Sequence, residues 1–284
     1  MTLSGESTQA VGIVAGGGAL PLAVARSLQA QGRRPVVFAI KGFCDPATLA
    51  GWAHHWVALG QVGRLTRLLR GEQCRDVILI GSLVRPALSE LRIDWQTLRA
   101  MPILIRAFRG GDDHLLQGIG RIFADHGFRL VGVHEIAPEL LAPEGALTRR
   151  KPDDGALRDI AKGRAVLAAI SPFDVGQAAV VIDEHVVALE DIEGTDGLLR
   201  RVARLRETRR IRSPAGRGVL VKAPKTGQEL RLDMPTLGPD TVSGVAQAQL
   251  AGLAVIAGQT LIVDPAGIVA AADRNDLFVV GMSR

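Results

Sequence analysis

The feature that most restricts the fold is a regular alternation, through the first half of the chain, of short unbroken apolar runs with longer amphipathic ones. Val11–Ala15, Pro35–Ile40, Val77–Ile80 and Phe128–Val133 read as strands, and Leu20–Gln31, Val62–Gln73, Trp95–Phe108 and Asp112–His126 as helices. Strands that are apolar at every position, rather than at every second one, are covered on both faces. Joined by right-handed crossovers, they make a Rossmann-like, doubly wound parallel layer with helices on both faces. After a connection carrying Pro138, Pro143, Gly145 and Pro152 the pattern changes. A helix over Ala156–Ile170 precedes strands over Ala178–Ile182, Val186–Glu190, Gly218–Lys222 and Glu229–Asp233. Helices over Asp196–Arg206 and Asp240–Leu250, and short closing segments at Ala254–Ala257, Leu261–Val263 and Leu277–Val280, complete a mixed α/β region. A chain of 284 residues exceeds one comfortable core. The expectation is a two-domain α/β protein: residues 1–135 Rossmann-like and nucleotide- or phosphate-binding, residues 136–284 mixed α/β, a linker at about 136–154, and the site in the cleft between them.

Composition narrows the function. An apolar fraction of 47% excludes a disordered chain. The most apolar stretch, Leu250–Gly258, falls far short of the ~18 residues a membrane span needs. The polar opening with Glu6 is neither a signal peptide nor an anchor. Cys44 and Cys74 lack Cys-x-x-Cys spacing, which argues against a disulfide framework or thiolate zinc site and suits a reducing, cytoplasmic compartment. Of 34 basic residues only five are lysine, and seven arginines fall between Arg200 and Arg212. Such a stretch suits phosphate, anionic lipid or nucleic acid, with a solvated helix face as the plain alternative. Nucleic acid reads poorly: tyrosine is absent, and no aromatic residue is interleaved with the arginines. The absence of His-Glu-x-x-His and of a Gly-x-Ser-x-Gly elbow argues against histidine-bound metal and a serine nucleophile, leaving oxygen-ligated Mg²⁺ open.

Four constellations could carry chemistry. Gly16-Gly17-Gly18-Ala19-Leu20-Pro21 joins the first strand to the first helix, where backbone amides and the helix start favour a phosphate. It is not a dinucleotide fingerprint, because Pro21 replaces the third glycine and Lys41 follows the second strand where an acid would hold a ribose. Gly110-Gly111-Asp112-Asp113 precedes a helix, and its carboxylates suit either a cap or Mg²⁺ and sugar hydroxyls. Asp174-Val175-Gly176-Gln177-Ala178 and Glu193-Gly194-Thr195-Asp196 read as loops; the second caps the basic helix and can face a phosphate. The richest segment runs from Lys222 and Lys225 through Arg231 and Asp233 to Thr236 and Gly238. Two lysines and an arginine suit phosphate oxygens, and a carboxylate among cations suits a metal ligand or a base. On a strand, Arg231 and Asp233 would point the same way; a surface salt bridge is the alternative.

Taken in order, Gly-Gly-Gly-Ala-Leu-Pro, Gly-Asp-Asp-x-Leu-Leu at 111–116, Val-Gly-x-His-Glu at 131–135, Asp-Val-Gly-Gln-Ala at 174–178, Glu-Gly-Thr-Asp at 193–196 and the 222–238 segment resemble the LpxI-type UDP-2,3-diacylglucosamine pyrophosphatases of Gram-negative lipid A synthesis. The resemblance runs from Val11 to Gly281. It implies Mg²⁺-assisted hydrolysis of UDP-2,3-diacylglucosamine to UMP and 2,3-diacylglucosamine 1-phosphate (lipid X), with water attacking the β-phosphorus. It further implies Asp233 as the essential aspartate, acting as metal ligand or as general base, with Lys222 and Arg231 beside it. Gly16, Gly17, Gly18, Ala19, Leu20, Asp112, Asp113, Gln177, Glu193, Gly194, Thr195, Asp196, Lys225 and Thr236 would then hold the substrate. Thr226 and Glu229 depart from the family's common proline and aspartate. The reading expects a cytoplasmic enzyme in transient contact with the inner-membrane surface and no nucleic-acid partner. It leaves the oligomeric state open, a homodimer included. A nicotinamide or flavin oxidoreductase and a non-catalytic nucleotide-sugar sensor are the rival readings.

Overall fold

The computed structural model of the protein describes residues 9–83, 92–99, 101, 112–231 and 233–283. The chain divides into two compact units, Met1–Pro138 with Glu229–Asp233, and Glu139–Gln228 with Met234–Arg284.

In the first unit, strands β1 (Ala10–Ala15), β2 (Arg34–Ile40), β3 (His54–Val57), β4 (Asp76–Ile80) and β5 (Arg129–Leu130) form one sheet in the order β3-β2-β1-β4-β5. Every pair in it is parallel. All six residues of β1 are buried, as a central strand with both faces covered requires. Helix α1 (Leu20–Ala30) turns Leu20, Val24, Ala25 and Leu28 inward at helical spacing. Leu69 of α2 (Val62–Gly71) joins Val36, Phe38 and Val77 in the core. Each such side chain contributes roughly 1.5–3 kcal/mol on burial. Strand β3 was hidden in the sequence because His54 and His55 interrupt its apolar run and it lies at the sheet edge. Strand β5 is shorter than the expected Phe128–Val133 because the chain turns at Gly132 into a short helix. Within this unit lie α3 (Asp112–Asp125) and that short helix, α4 (Val133–Ile136). The expected helix over Trp95–Phe108 is helical at 95–99 and 101, and its residues 100 and 102–108 lie outside the described residues.

In the second unit, β6 (Gly145–Ala146), β7 (Ala178–Ile182), β8 (His185–Leu189), β9 (Val219–Lys222), β11 (Gly252–Ile256) and β13 (Phe278–Met282) form a mixed sheet in the order β6-β13-β11-β9-β7-β8. Strands β9, β11 and β13 run parallel, while β6 and β7 pair antiparallel with their neighbours. A two-stranded ribbon joins β10 (Thr236–Leu237) to β12 (Leu261–Ile262). One face of the sheet packs Val180, Leu220, Leu253 and Val279 against Leu198 and Val202 of α6 (Gly194–Glu207), Val245 of α7 (Pro239–Gln247) and Ile268 of α8 (Pro265–Arg274). The opposite face packs Ala179, Val221, Ala254 and Phe278 against Ile160 and Leu167 of α5 (Asp154–Ile170). The architecture is thus α/β with one parallel and one mixed sheet.

Two sequence expectations change here. Glu229–Asp233 is not a strand: the Asp233 N–H donates to the Glu229 carbonyl at 3.2 Å, closing a tight turn. Arg231 and Asp233 are therefore not aligned by a pleat. Helix α8 was unforeseen; Asp264 nucleates it from a left-handed conformation by accepting the Gly267 N–H at 3.0 Å.

Candidate active site

The glycine turn after β1 is built from backbone. Gly16 N–H donates to the Ile80 carbonyl at 2.8 Å; Gly17 N–H donates to the Ser82 carbonyl at 2.8 Å, and the Gly17 carbonyl accepts the Ser82 N–H at 2.9 Å. A Cβ on Gly16 would stand 2.6 Å from the Ser82 oxygen. Gly81, at φ +103°, would press on the Gly16 carbonyl carbon in the same way. These glycines let the turns after β1 and β4 touch, and two of their amides are committed to that contact. Helix α1 then starts at Leu20, with no side-chain cap and with Pro21 in its first turn. Helix geometry leaves the first-turn amides without intrahelical partners, so the anion-favouring part of the motif is its Gly18–Leu20 end.

The second unit gathers side chains that are distant in sequence. Lys222 closes β9 at its carboxyl end and is 7% exposed. Its ammonium donates to Thr195 Oγ1 at 2.9 Å and to the Thr236 carbonyl at 3.0 Å. Thr195 in turn donates to Glu190 Oε1 at 2.6 Å, and the other oxygen of Glu190 accepts the Gln177 N–H at 2.6 Å. Gln177, Thr195, Lys222 and Thr236, four residues singled out from sequence, thus belong to one hydrogen-bonded chain. Thr236 contributes its carbonyl rather than its hydroxyl. Glu190 was missed. The expected hairpin carried the signal, since pairing the start of β7 with the end of β8 sets Gln177 against Glu190.

Around this chain, Lys225 ion-pairs with Asp174, and its N–H donates to Gln228 Oε1 at 2.8 Å. The Thr226 N–H donates to Ser171 Oγ at 2.6 Å, fixing the same loop. Glu193 is held by Arg201 (Nε to Oε1, 2.8 Å), while Gly194 at φ +71° and Asp196 open α6.

Arg231 and Asp233 belong to the first compact unit. Arg231 folds back on Glu229 in a two-point contact, Nε to Oε1 at 2.9 Å and Nη2 to Oε2 at 2.7 Å. That hydrogen bond holds the Glu229 carboxyl below, and the Arg231 guanidinium above, their ordinary values. The turn packs on the Val131–Glu135 motif: a Cβ on Gly132 would lie 3.0 Å from Arg231 Cα and 2.4 Å from the His134 ring. The Gly132 N–H donates to Glu135 Oε1 at 2.8 Å, which locks this loop. Glu229 and His134 were not singled out as site residues; the motif containing His134 was visible, but nothing in the sequence paired it with residue 231.

Asp112 and Asp113 open α3, while Gly110, Gly111 and both aspartate side chains lie outside the described residues. Among the described residues no three His, Cys, Asp or Glu side chains cluster to hold a metal. Magnesium is commonly held by one or two carboxylates plus substrate phosphates, a donor set that does not require such a cluster. No helix among the described residues is long and apolar enough to cross a membrane.

Family models for the LpxI N-terminal domain and the LpxI C-terminal domain match residues 10–140 and 143–280. The chain is 42% identical over 272 residues to the UDP-2,3-diacylglucosamine pyrophosphatase LpxI of Caulobacter vibrioides, covering 96% of this chain and 97% of that one. Two solved structures give faint likenesses. WbmG of Bordetella bronchiseptica in complex with NAD has a TM-score of 0.29 at 14% identity, over 44% of this chain and 37% of that one. A Mycobacterium tuberculosis glycinamide-RNase-transformylase T has a TM-score of 0.24 at 18% identity, over 63% and 43%. Neither carries weight. With both family domains matched in order over nearly the whole chain, this protein belongs to the LpxI family.

Proposed function

We propose that the protein hydrolyses UDP-2,3-diacylglucosamine to UMP and 2,3-diacylglucosamine 1-phosphate. The observation that carries this reading is the 42% identity to a pyrophosphatase of that name across nearly the full length of both chains. In the proposed step the water oxygen bonds to the β-phosphorus, and the bridging oxygen leaves with the α-phosphorus as UMP. A pyrophosphate needs fixed cations around its oxygens, because charge develops on the leaving phosphate as the bridge breaks. Lys222 is such a cation, since its position is set by Thr195 and Thr236 before any substrate arrives. Glu190 keeps the Thr195 hydroxyl oriented so that its oxygen faces the ammonium. The α1 start supports the reading as a place for phosphate, because a parallel sheet in the order β3-β2-β1-β4-β5 presents that helix end beside the β1–β4 switch point. Magnesium, held by Asp233 with substrate oxygens, would supply charge neutralisation of the pyrophosphate when bound.

The test is UMP release from UDP-2,3-diacylglucosamine in detergent, with Mg²⁺ and with EDTA, and in ¹⁸O-water. The expected result is Mg²⁺-dependent release with the label on the sugar phosphate. Label in UMP would move the attack to the α-phosphorus. Binding of the UDP-sugar without turnover would make the protein a sensor instead. An Asp233→Ala variant should fold and bind substrate while losing most turnover; a near-normal rate would remove Asp233 from the mechanism.

A further inference from the structure

The chain's positive charge is concentrated at one place. Residues 200–212 carry seven arginines and one acid, a net +6, so the remainder of the chain nets −1 of the overall +5. The structure separates these arginines by job. Arg206 is consumed by the fold: its guanidinium donates to the carbonyls of Ala248, Ser213 and Arg217 at 2.7–2.9 Å. Arg201 is likewise held by Glu193 and the Leu189 carbonyl. The other five, Arg200, Arg204, Arg209, Arg210 and Arg212, are exposed and have no side-chain hydrogen bond or ion pair among the described residues.

Their placement follows from the helix. Leu198, Leu199 and Val202 turn α6 toward the core, which puts Arg200 and Arg204 one turn apart on the outward face, beside Glu207. Arg209, Arg210 and Arg212 continue that surface past the helix end, where Arg209 takes a left-handed conformation at φ +56°. Arg200 and Arg204 also line an open groove with Ala203, Glu207 and Gln247 of α7. Packing and capping account for two of the seven arginines and leave five unexplained.

We infer that this face of α6 and the turn after it form the surface by which the protein docks on an anionic bilayer. The inference rests on the proposed substrate, whose two acyl chains present it from a membrane. Five guanidiniums without a partner among the described residues, spread over thirteen positions, reach further than one phosphate, which favours an array of headgroups over a single small anion. The face carries no aromatic side chain on which a base could stack, which disfavours nucleic acid. A polybasic surface gains about 1 kcal/mol per Lys or Arg at an anionic bilayer, roughly fivefold in partitioning, and loses it with salt.

The test is co-sedimentation of the full chain with vesicles free of substrate, either phosphatidylcholine alone or with one part in three phosphatidylglycerol. The protein should pellet with the anionic vesicles at low salt, and about 100-fold more weakly as R204Q/R209Q/R210Q, with little binding to the neutral ones. R201Q, which removes a structural arginine, should bind as the parent does. The inference is overturned if the triple variant partitions like the parent, if neutral vesicles serve equally, if nothing pellets at low salt, or if millimolar inorganic phosphate displaces the protein as fully as high salt does. Hydrolysis in detergent by the triple variant should stay within about twofold of the parent. The activity reading can therefore fail while the docking holds, or the reverse.

Discussion

The glycine turn of the first unit and the lysine chain of the second are both candidate phosphate sites, and they are built in opposite ways. At Gly16 and Gly17 the backbone does the work: two amides meet two carbonyls, and the absence of a Cβ allows it. At Lys222 the side chains do it: an ammonium from the end of β9, a hydroxyl from the first turn of α6 and a carboxylate from the residue after β8 are linked end to end. The difference concerns cost. A backbone contact between turns helps hold the sheet together whether or not a ligand binds. A lysine that is 7% exposed is expensive to desolvate, and stability alone rarely calls for one, since a well-packed apolar cluster serves a core as well as a whole buried charged network does. Lys222 is therefore the better mark of function, while the first two glycines have a sufficient reason in the fold.

The largest effect should come from Lys222→Met. Loss of one positioned donor to a developing charge lowers turnover by roughly 10²–10³. Thermal unfolding should move by only a few degrees, since the desolvation cost relieved by removing the ammonium offsets the Thr195 and Thr236 oxygens left without their donor. Activity within a few-fold of the parent, together with a large fall in stability, would reverse the comparison and make Lys222 structural.

Next comes Gly16→Ala, which forces a methyl against the Ser82 backbone and should cost about 3 kcal/mol, the upper end of overpacking. Gly18→Ala is its partner experiment. A Cβ there meets nothing within 4 Å, so only the left-handed strain at φ +91° is added, about 1–2 kcal/mol. Urea unfolding separates the two. If Gly18→Ala stays folded yet loses tenfold or more in activity while folded Gly16→Ala retains it, the ligand end of the turn is Gly18–Leu20.

The same contrast explains what the sequence could and could not show. Continuous apolar runs reveal buried strands, so β1, β2, β4, β7 and β9 were legible to within a residue or two. The edge strand β3 was not, because His54 and His55 erase the run. The glycine turn was visible because its residues are contiguous. The lysine chain was visible only as separate candidates, because Gln177, Glu190, Thr195 and Lys222 are joined by strand pairing rather than by sequence. Alternation misread Glu229–Asp233 as a strand, since a tight turn and a short strand look alike over five residues; the Arg231–Glu229 bond that distinguishes them is a side-chain event.

Two buried carboxylates, one in each unit, extend the comparison to pH. Asp76 is 1% exposed and accepts from Arg129 at 2.8 Å and Arg33 at 3.1 Å. The Arg129 hydrogen bond is the main cause that draws its carboxyl below the ordinary value. A depressed folded pKa means that the unfolded chain binds more protons in the window between the two values. The stabilisation is therefore complete above the unfolded value, about pH 4, and fades as pH falls through the folded one. Asp76→Ala should cost about 2 kcal/mol at pH 7, by urea unfolding, and the gap from the parent should close in acid. A gap independent of pH would assign the loss to packing.

Asp159 of α5 should show the smaller effect and the opposite slope. It is 3% exposed and accepts the N–H groups of Glu184 at 2.6 Å and Asp183 at 3.3 Å, the two left-handed residues of the β7–β8 turn. Burial is the main cause that raises its carboxyl, and the neighbouring Asp183 and Glu184 charges add to it. A raised folded pKa means that the native state holds its proton longer than the unfolded chain. This group therefore favours folding most at low pH, and its contribution declines as pH climbs from about 4 through the raised value. Asp159→Asn keeps the 2.6 Å bond through Oδ1 and loses the longer one, a cost of about 1 kcal/mol, partly offset at neutral pH because a buried negative charge is gone. The measurement is parent-minus-variant stability from pH 4 to pH 8. A difference that shrinks with rising pH identifies Asp159 as a buried acid set against its own turn. A difference that grows would mean that its hydrogen bonds outweigh burial, and would place it with Asp76.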